Sequence, residues 1–491
     1  MSDRNRPLSL LFAASEATPW VKSGGLGDVM GALPAALADL DQDVTLVLPL
    51  YGNIDREAAG LKPLTRITVP FLGNTFPTSV YTCVPHGGRV RVLFLENQYY
   101  FERDSVYTDL ATGEGWHDND ERFFFFQLAI VQLLLEGVVE PDVLVLSDWH
   151  TSMLPALIRI RYRQHPGLQQ IKLVLGLHNL GYQGVFPAEA IDKLGLSRDL
   201  LFPMGPFEFY GKLNCLKAGI SMSDRIITVS PGYAEEILGS EQGCGLDGVL
   251  RQHRDRLHGV LNGIDTQVWN PGEDRWLPYP FTAQKLDRKS RNRVELLREF
   301  GLDPEFPGPV IGIVSRLTDQ KGIKILAGCL DRILSRDLKM VVLGSGEKVF
   351  EQFLLDSARA NPGRLGVRIA YSEPLAHLVE GGADMFLMPS LYEPCGLNQM
   401  YSMTYGTLPI VRHTGGLKNT VIDFLENADK ATGFHFYNYN AAELLEAVDL
   451  ALAAWKKPKV WRRLQRNGMK QDFSWRNSAS EYLRVFRELV S

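Results

Sequence analysis

Lys22-Ser23-Gly24-Gly25-Leu26-Gly27-Asp28 sets a cation and three glycines where an apolar run gives way to a helix-like stretch, 30–38. Gly24, Gly25 and Gly27 are expected to let the backbone turn sharply and approach a ligand closely. The helix behind them directs free N–H groups and a partial positive charge into the loop. The expected chemistry is capture of an anion. Neither common anion motif fits: Met30 replaces the third glycine of a dinucleotide fingerprint, and Lys22 precedes the glycines that a P-loop lysine follows. A tight strand-to-helix turn without a ligand is the competing reading.

A second set lies far along the chain. Arg316 and Lys321 are five residues apart in the loop-like run 315–322, so both can address one anionic group. A charge-assisted hydrogen bond contributes roughly 1.5–3 kcal/mol. Two on a departing diphosphate would also stabilise its growing charge. Glu393 stands in the run 389–399, where Gly396 is expected to open a helix with further N–H groups for phosphate. Tyr371 adds an aromatic ring after an apolar run. In the first half, Glu16, Asp148-Trp149-His150 and His178-Asn179 supply carboxylates, imidazoles, an amide and a ring. That mixture suits a polyhydroxylated ligand, whose hydroxyls take hydrogen bonds and whose C–H faces stack. Two Asp-x-Asp triplets, starting at Asp41 and Asp118, read as a solvated turn and a helix N-cap region. A hard cation needs more convergent oxygens, so no metal and no other cofactor is expected.

The elements that must position these residues are short apolar runs ending in polar or glycine-rich turns. They fall at 8–14, 44–48, 90–95, 143–146, 172–177 and 225–229, then at 310–314, 339–343, 367–370, 385–388 and 408–411. Helix-length stretches separate most of them. Buried parallel strands read as continuous apolar runs, so the pattern predicts an α/β protein with two doubly wound sheets. Ligands of such sheets bind beyond the carboxyl ends of the strands, where the polar residues above fall. A domain boundary is expected after Asn262-Gly263-Ile264-Asp265, where a stretch rich in Pro, Trp and charge begins.

At 491 residues the chain exceeds one typical core, and two or three domains are expected. A net charge of −5 provides no general field for nucleic acid, so any polyanion site is local. No run approaches the roughly eighteen apolar residues a membrane span needs, so no membrane partner is expected. The five cysteines are scattered without a paired motif, which fits a reducing compartment. Arg4 and Arg6 before the apolar run 8–14 imitate a signal peptide. Cleavage there would remove the strand feeding the glycine loop, so a cytoplasmic location is expected.

Taken together, these segments resemble the bacterial glycogen synthases, relatives of the plant starch synthases in glycosyltransferase family 5. The match covers nearly the whole chain through 22–29, 148–150, 178–186, 261–265, 315–322, 393–399 and 414–417. The resemblance implies a glycosyltransferase B fold, two Rossmann-like domains with an interdomain cleft. Residues 1–265 would form the acceptor side, 266–472 the donor side, and 473–491 a helix returning to the first domain. It implies transfer of glucose from ADP-glucose to the non-reducing end of an α-1,4-glucan, with retention of configuration. Carried over by position, Lys22, Gly24, Gly25, Gly27 and Asp28 would serve the donor. Arg316 and Lys321 would bind the diphosphate, and Tyr371 would stack on adenine. Glu393 would lie by the transferred glucose, with N–H groups of Cys395, Gly396 and Leu397 on its hydroxyls. His178 would reach the reacting centre. Glu16, Trp149, Asn179 and Asn262 would lie on the acceptor or sugar side, supported by Asp148 and His150.

Two positions depart from the wider pattern. Many retaining enzymes of this fold carry a second carboxylate eight residues after the first, where this chain has Tyr401, a departure the synthase branch shares. Asn398 stands where many relatives have Thr or Ser. UDP-glucose as donor, or a glucan-binding relative without turnover, remain alternatives. A dinucleotide-dependent oxidoreductase is disfavoured by the failed fingerprint.

Overall fold

The apolar runs become strands, most of them buried on both faces. The computed structural model describes residues 6–85 and 88–491; Arg4 lies outside them. The first strands are β1 (Ser9–Ala13), β2 (Asp43–Pro49), β3 (Lys62–Phe71), β4 (Asn74–Cys83), β5 (Arg91–Leu95), β6 (Val143–Ser147) and β7 (Lys172–Leu177). They continue with β8 (Val185–Phe186), β9 (Glu208–Phe209), β10 (Lys212–Asn214), β11 (Arg225–Thr228) and β12 (Leu257–Gly259). Strands β8, β10 and β9 form a small antiparallel sheet. The other nine pair in the order β12-β11-β7-β6-β1-β2-β5-β4-β3. Only β3–β4 and β4–β5 are antiparallel in that sheet.

A second sheet contains β13 (Val310–Val314), β14 (Lys339–Gly344), β15 (Leu365–Ile369), β16 (Met385–Met388), β17 (Leu408–Arg412) and β18 (Phe434–Phe436). It is wholly parallel in the order β15-β14-β13-β16-β17-β18. Ile311, Ile313, Met340 and Val342 enter the core on one face, while Val310, Val341, Leu343 and Phe386 enter the core on the other. In both sheets the strand order reverses at one strand. That strand is β1, between β2 and β6, in the first sheet and β13, between β14 and β16, in the second. Such reversals open crevices at the carboxyl ends of the strands.

The chain divides into two compact units. The first takes residues up to Val229, then Ala234–Val260 and Trp475–Ser491; the second takes Ser230–Tyr233 and Leu261–Ser474. Within the first unit, helix Trp475–Val490 packs against helix Gly25–Ala38. Its buried stripe is Trp475, Ala479, Tyr482 and Phe486, the spacing of one helical face. Among the described residues no helix is long and apolar enough to cross a membrane.

Candidate active site

In the first unit, β1 ends at Ala13 and delivers Glu16 beneath the glycine loop. Glu16 is buried, and its Oε2 accepts from the backbone N–H groups of Ser23 and Gly24, the latter at 3.2 Å. Its Oε1 accepts from the Tyr107 hydroxyl at 3.2 Å. Burial raises the Glu16 pKa, against the pull of these hydrogen bonds. A carboxylate of the chain itself therefore sits against the loop's N–H groups. Lys22 pairs with Asp28 at 2.7 Å, across the start of helix Gly25–Ala38. The chain bends at Ser23 and Gly24 directly before the helix, without left-handed backbone: none of Gly24, Gly25 and Gly27 has a positive φ. They provide space. A Cβ on Gly27 would crowd Lys22 and Glu16 at 3.2–3.3 Å, whereas Gly25 faces open space.

The ends of β6 and β7 meet beside β1. Asp148 is buried with φ +51, and its Oδ1 accepts from the backbone N–H of His178 at 2.7 Å and of Asn179 at 3.4 Å. Burial pushes its pKa up to about 7. Asp148 thus holds the loop that bears His178. Burial lowers the pKa of His178 to about 4 and of His150 to about 3, so both rings are neutral at pH 7. His150 stacks on Tyr107 at 4.8 Å, and its Nδ1 is buried without a hydrogen-bond partner among the described residues. Trp149 lies edge-on to Phe123 and Phe186. Asn179 Oδ1 accepts from Gly181 N–H at 2.9 Å, shaping its own turn.

In the second unit the reversal at β13 brings two loops together. Lys321 donates to both oxygens of Glu393, at 2.8 and 2.6 Å, and Ser390 donates to Glu393 Oε2 at 3.0 Å. Glu393 is 5% exposed. Gly322 makes this approach possible. Its φ is +78, and a Cβ there would lie 1.9 Å from the Pro389 carbonyl oxygen, which no side chain can accommodate. Arg316 is exposed. Among the described residues, its guanidinium has no ion-pair partner. Tyr371 follows the edge strand β15 with its side chain 80% exposed.

Gly396 does not open a helix as expected. It takes φ +72, and the helix begins two residues later as Asn398–Thr404. The N–H groups of Cys395, Gly396 and Leu397 donate no hydrogen bond among the described residues. Burial raises the Cys395 thiol to about 12, and the backbone N–H of Asn262 points at its sulfur. The Asn262 side-chain oxygen is buried without a hydrogen-bond partner among the described residues. Asp118 does precede a helix, Asn119–Leu135, but its side chain caps nothing and pairs with Arg103 at 2.8 Å instead.

The first half of the chain matches the family model for the starch synthase catalytic domain over residues 9–252. The second half matches the model for glycosyl transferases group 1 over residues 303–468. The glycogen synthase of Koribacter versatilis (strain Ellin345) is 43% identical over 98% of this chain and 98% of its own. This chain belongs to the glycogen and starch synthase family. A glycogen synthase from Geobacillus stearothermophilus is 40% identical over 98% of both chains. The catalytic domain of starch synthase IV from Arabidopsis thaliana, solved bound to ADP and acarbose, superposes with a TM-score of 0.90 at 31% identity. That alignment covers 99% of this chain and 100% of the plant one. Sucrose-phosphate synthase from Thermosynechococcus elongatus shares the fold, with a TM-score of 0.59 at 16% identity and 98% of both chains covered. The protein is therefore a hexosyltransferase synthase with the glycosyltransferase B fold.

Four residues of this synthase escaped sequence reasoning. Tyr107 joins Glu16 and Ser15. Arg122, fully buried, donates to the carbonyls of Tyr100 and Val106 and so fixes the segment that carries Tyr107. One signal for it existed: Arg122 directly precedes the apolar run Phe123–Phe126. Ser390 on Glu393 is a contact within one loop that residue type alone does not mark, and Gly322 against Pro389 carried no signal of its own because it joins two loops distant in sequence.

Proposed function

We propose that this synthase transfers glucose from ADP-glucose to the non-reducing end of an α-1,4-glucan, with retention at the anomeric carbon. The observation that carries the reading is the Lys321–Glu393 pair at the β13 crevice, with Arg316 unpaired in the same loop. The ADP held by the plant starch synthase supports an adenine nucleotide as donor. Tyr371 is the ring to stack on adenine, and Lys22 with its loop is a further donor contact. The free thiols among the described residues agree with a reducing, cytoplasmic setting.

Both oxygens of Glu393 are engaged by Lys321, and one also by Ser390, so the carboxylate is oriented rather than free to attack. Front-face displacement asks least of such a group. The bond from the anomeric carbon to the diphosphate oxygen breaks while the acceptor oxygen bonds on the same face. The departing phosphate oxygen takes the acceptor's proton. Arg316 and Lys321 stabilise the negative charge that develops there, and Glu393 faces the positive charge on the sugar ring. Cys395, Gly396 and Leu397 offer N–H groups to the sugar hydroxyls. Neutral His178 can hydrogen-bond the acceptor hydroxyl without adding charge. Glu16, Asp148, Trp149, His150, Asn179 and Asn262 shape the acceptor and sugar side.

The test is nucleotide release by purified protein given glycogen with either ADP-glucose or UDP-glucose. ADP release with glucan elongation is expected. Turnover of UDP-glucose alone would overturn the donor assignment, and turnover of neither would overturn the activity. A glucosyl adduct trapped on Glu393 would overturn the front-face route.

A further inference from the structure

Asn398 has a task that its place at the start of a helix does not reveal. The pairing of β13 with β16 joins Ile311 to Met385 and Gly312 to Phe386. Extending that register by two residues sets Val314 beside Met388. The next residue, Pro389, has no N–H to give, so the Val314 carbonyl lacks a donor from the β16 chain. Asn398 supplies one: its Nδ2 donates to Val314 O at 2.6 Å.

Val314 is two residues before Arg316. The other flank of this strand end is already fixed, since Ser315 N–H donates to Leu343 O at 3.1 Å and Leu317 N–H to Ser345 O at 2.9 Å. The far end of the loop is fixed by Leu391 N–H on Gln320 O at 2.9 Å. Asn398 completes the set at the near end. It follows directly on Cys395, Gly396 and Leu397, so one side chain ties the strand that launches Arg316 to the segment that carries Glu393.

The geometry points to Asn398 as a positioning residue: its amide sets where Arg316 stands relative to the sugar-binding N–H groups, and so how the diphosphate is held during transfer. This rests on the donor reading above and adds a residue to it. A hydroxyl at this position is shorter than the amide, so a Thr or Ser would close the same gap only with a shift of the strand end.

The test uses the full-length enzyme with Asn398→Thr, Asn398→Val and Asn398→Asp. Thr and Val are nearly isosteric, and only Thr keeps a donor. Asp keeps the shape of Asn and presents oxygen to a carbonyl. Asn398→Val and Asn398→Asp are expected to lose about 10-fold or more in kcat/KM for ADP-glucose, and Asn398→Thr clearly less. ADP affinity measured by calorimetry should fall in the same order, with the KM for glucan unchanged. In an Arg316→Ala background, Asn398→Val should add less than about twofold, because contacting residues are non-additive. Full activity of Asn398→Val, equal loss in Thr and Val, or a loss that multiplies fully with Arg316→Ala would overturn the inference. If Arg316→Ala itself leaves turnover and ADP affinity intact, the donor reading fails instead.

Discussion

Lys321 answers to two partners, one built in and one expected. Its ammonium bonds both oxygens of Glu393 in a site where the lysine side chain is 20% and the glutamate side chain 6% exposed. Lys321→Ala should cut kcat on the order of 10²-fold, as for loss of a main charge-stabilising donor, with little change in glucan affinity. It should also lower stability by about 1–3 kcal/mol, because Glu393 keeps a buried charge with only Ser390 beside it. Adding Glu393→Gln removes that charge, so the double variant should regain melting temperature but not turnover. Recovery of turnover would show that Lys321 serves only to satisfy Glu393. The position of the absent second carboxylate has also found its physical content. Tyr401 stacks on Trp269 at 3.8 Å, and the other face of Trp269 stacks on His377 at 3.8 Å. His377 Nδ1 and the Tyr405 hydroxyl both meet Asp274 Oδ2, at 2.7 and 2.5 Å. This position belongs to an aromatic stack, which the residue type alone does not disclose.

At the scale of elements, the β6 and β7 ends show how a loop is held by a buried acid. The Asp148 pKa lies above its unfolded value near 3.8, so the folded state favours the protonated form. That stability is fully present below about pH 4 and is lost as pH rises through about 7. Asp148→Asn removes the term while keeping an acceptor for His178 N–H. Melting temperatures of variant and wild type should therefore diverge in the variant's favour between about pH 4 and pH 8. A pH-independent difference would show that Asp148 is ionised throughout. Most of the eleven strands read from the sequence were legible because both faces are buried and the runs are unbroken; the run at 367–370 was legible despite Arg368, which is exposed on an edge strand. The β3–β4 hairpin was not: the first five residues of β3 are exposed, so no continuous run marks it. Strands β8, β9 and β10, of two or three residues, are too short for any period. The glycine loop was found for its composition, but the crowding of Gly27 by Lys22 and Glu16 was not, since it depends on how the loop folds over Glu16.

Across the whole molecule, the α/β class and the two doubly wound sheets followed from the apolar runs, and the return of residues 473–491 to the first domain was implied by the family resemblance. Sequence order did not show that Ser230–Tyr233 belongs with the second unit. The helix Trp475–Val490 should be a part of the first unit in energetic terms. Removing residues 475–491 should speed amide exchange in helix Gly25–Ala38 and β1 and abolish activity, while β13, β14 and β16 keep their protection. Loss of protection confined to the second sheet would contradict this. The same helix has a consequence for synthesis. The face that helix Gly25–Ala38 gives to helix Trp475–Val490 is made early, and its cover is translated only after the entire second unit. At about 5–20 residues per second, a ribosome leaves that apolar face uncovered for on the order of tens of seconds. Until then the nascent first unit carries an exposed apolar surface of the kind that favours aggregation.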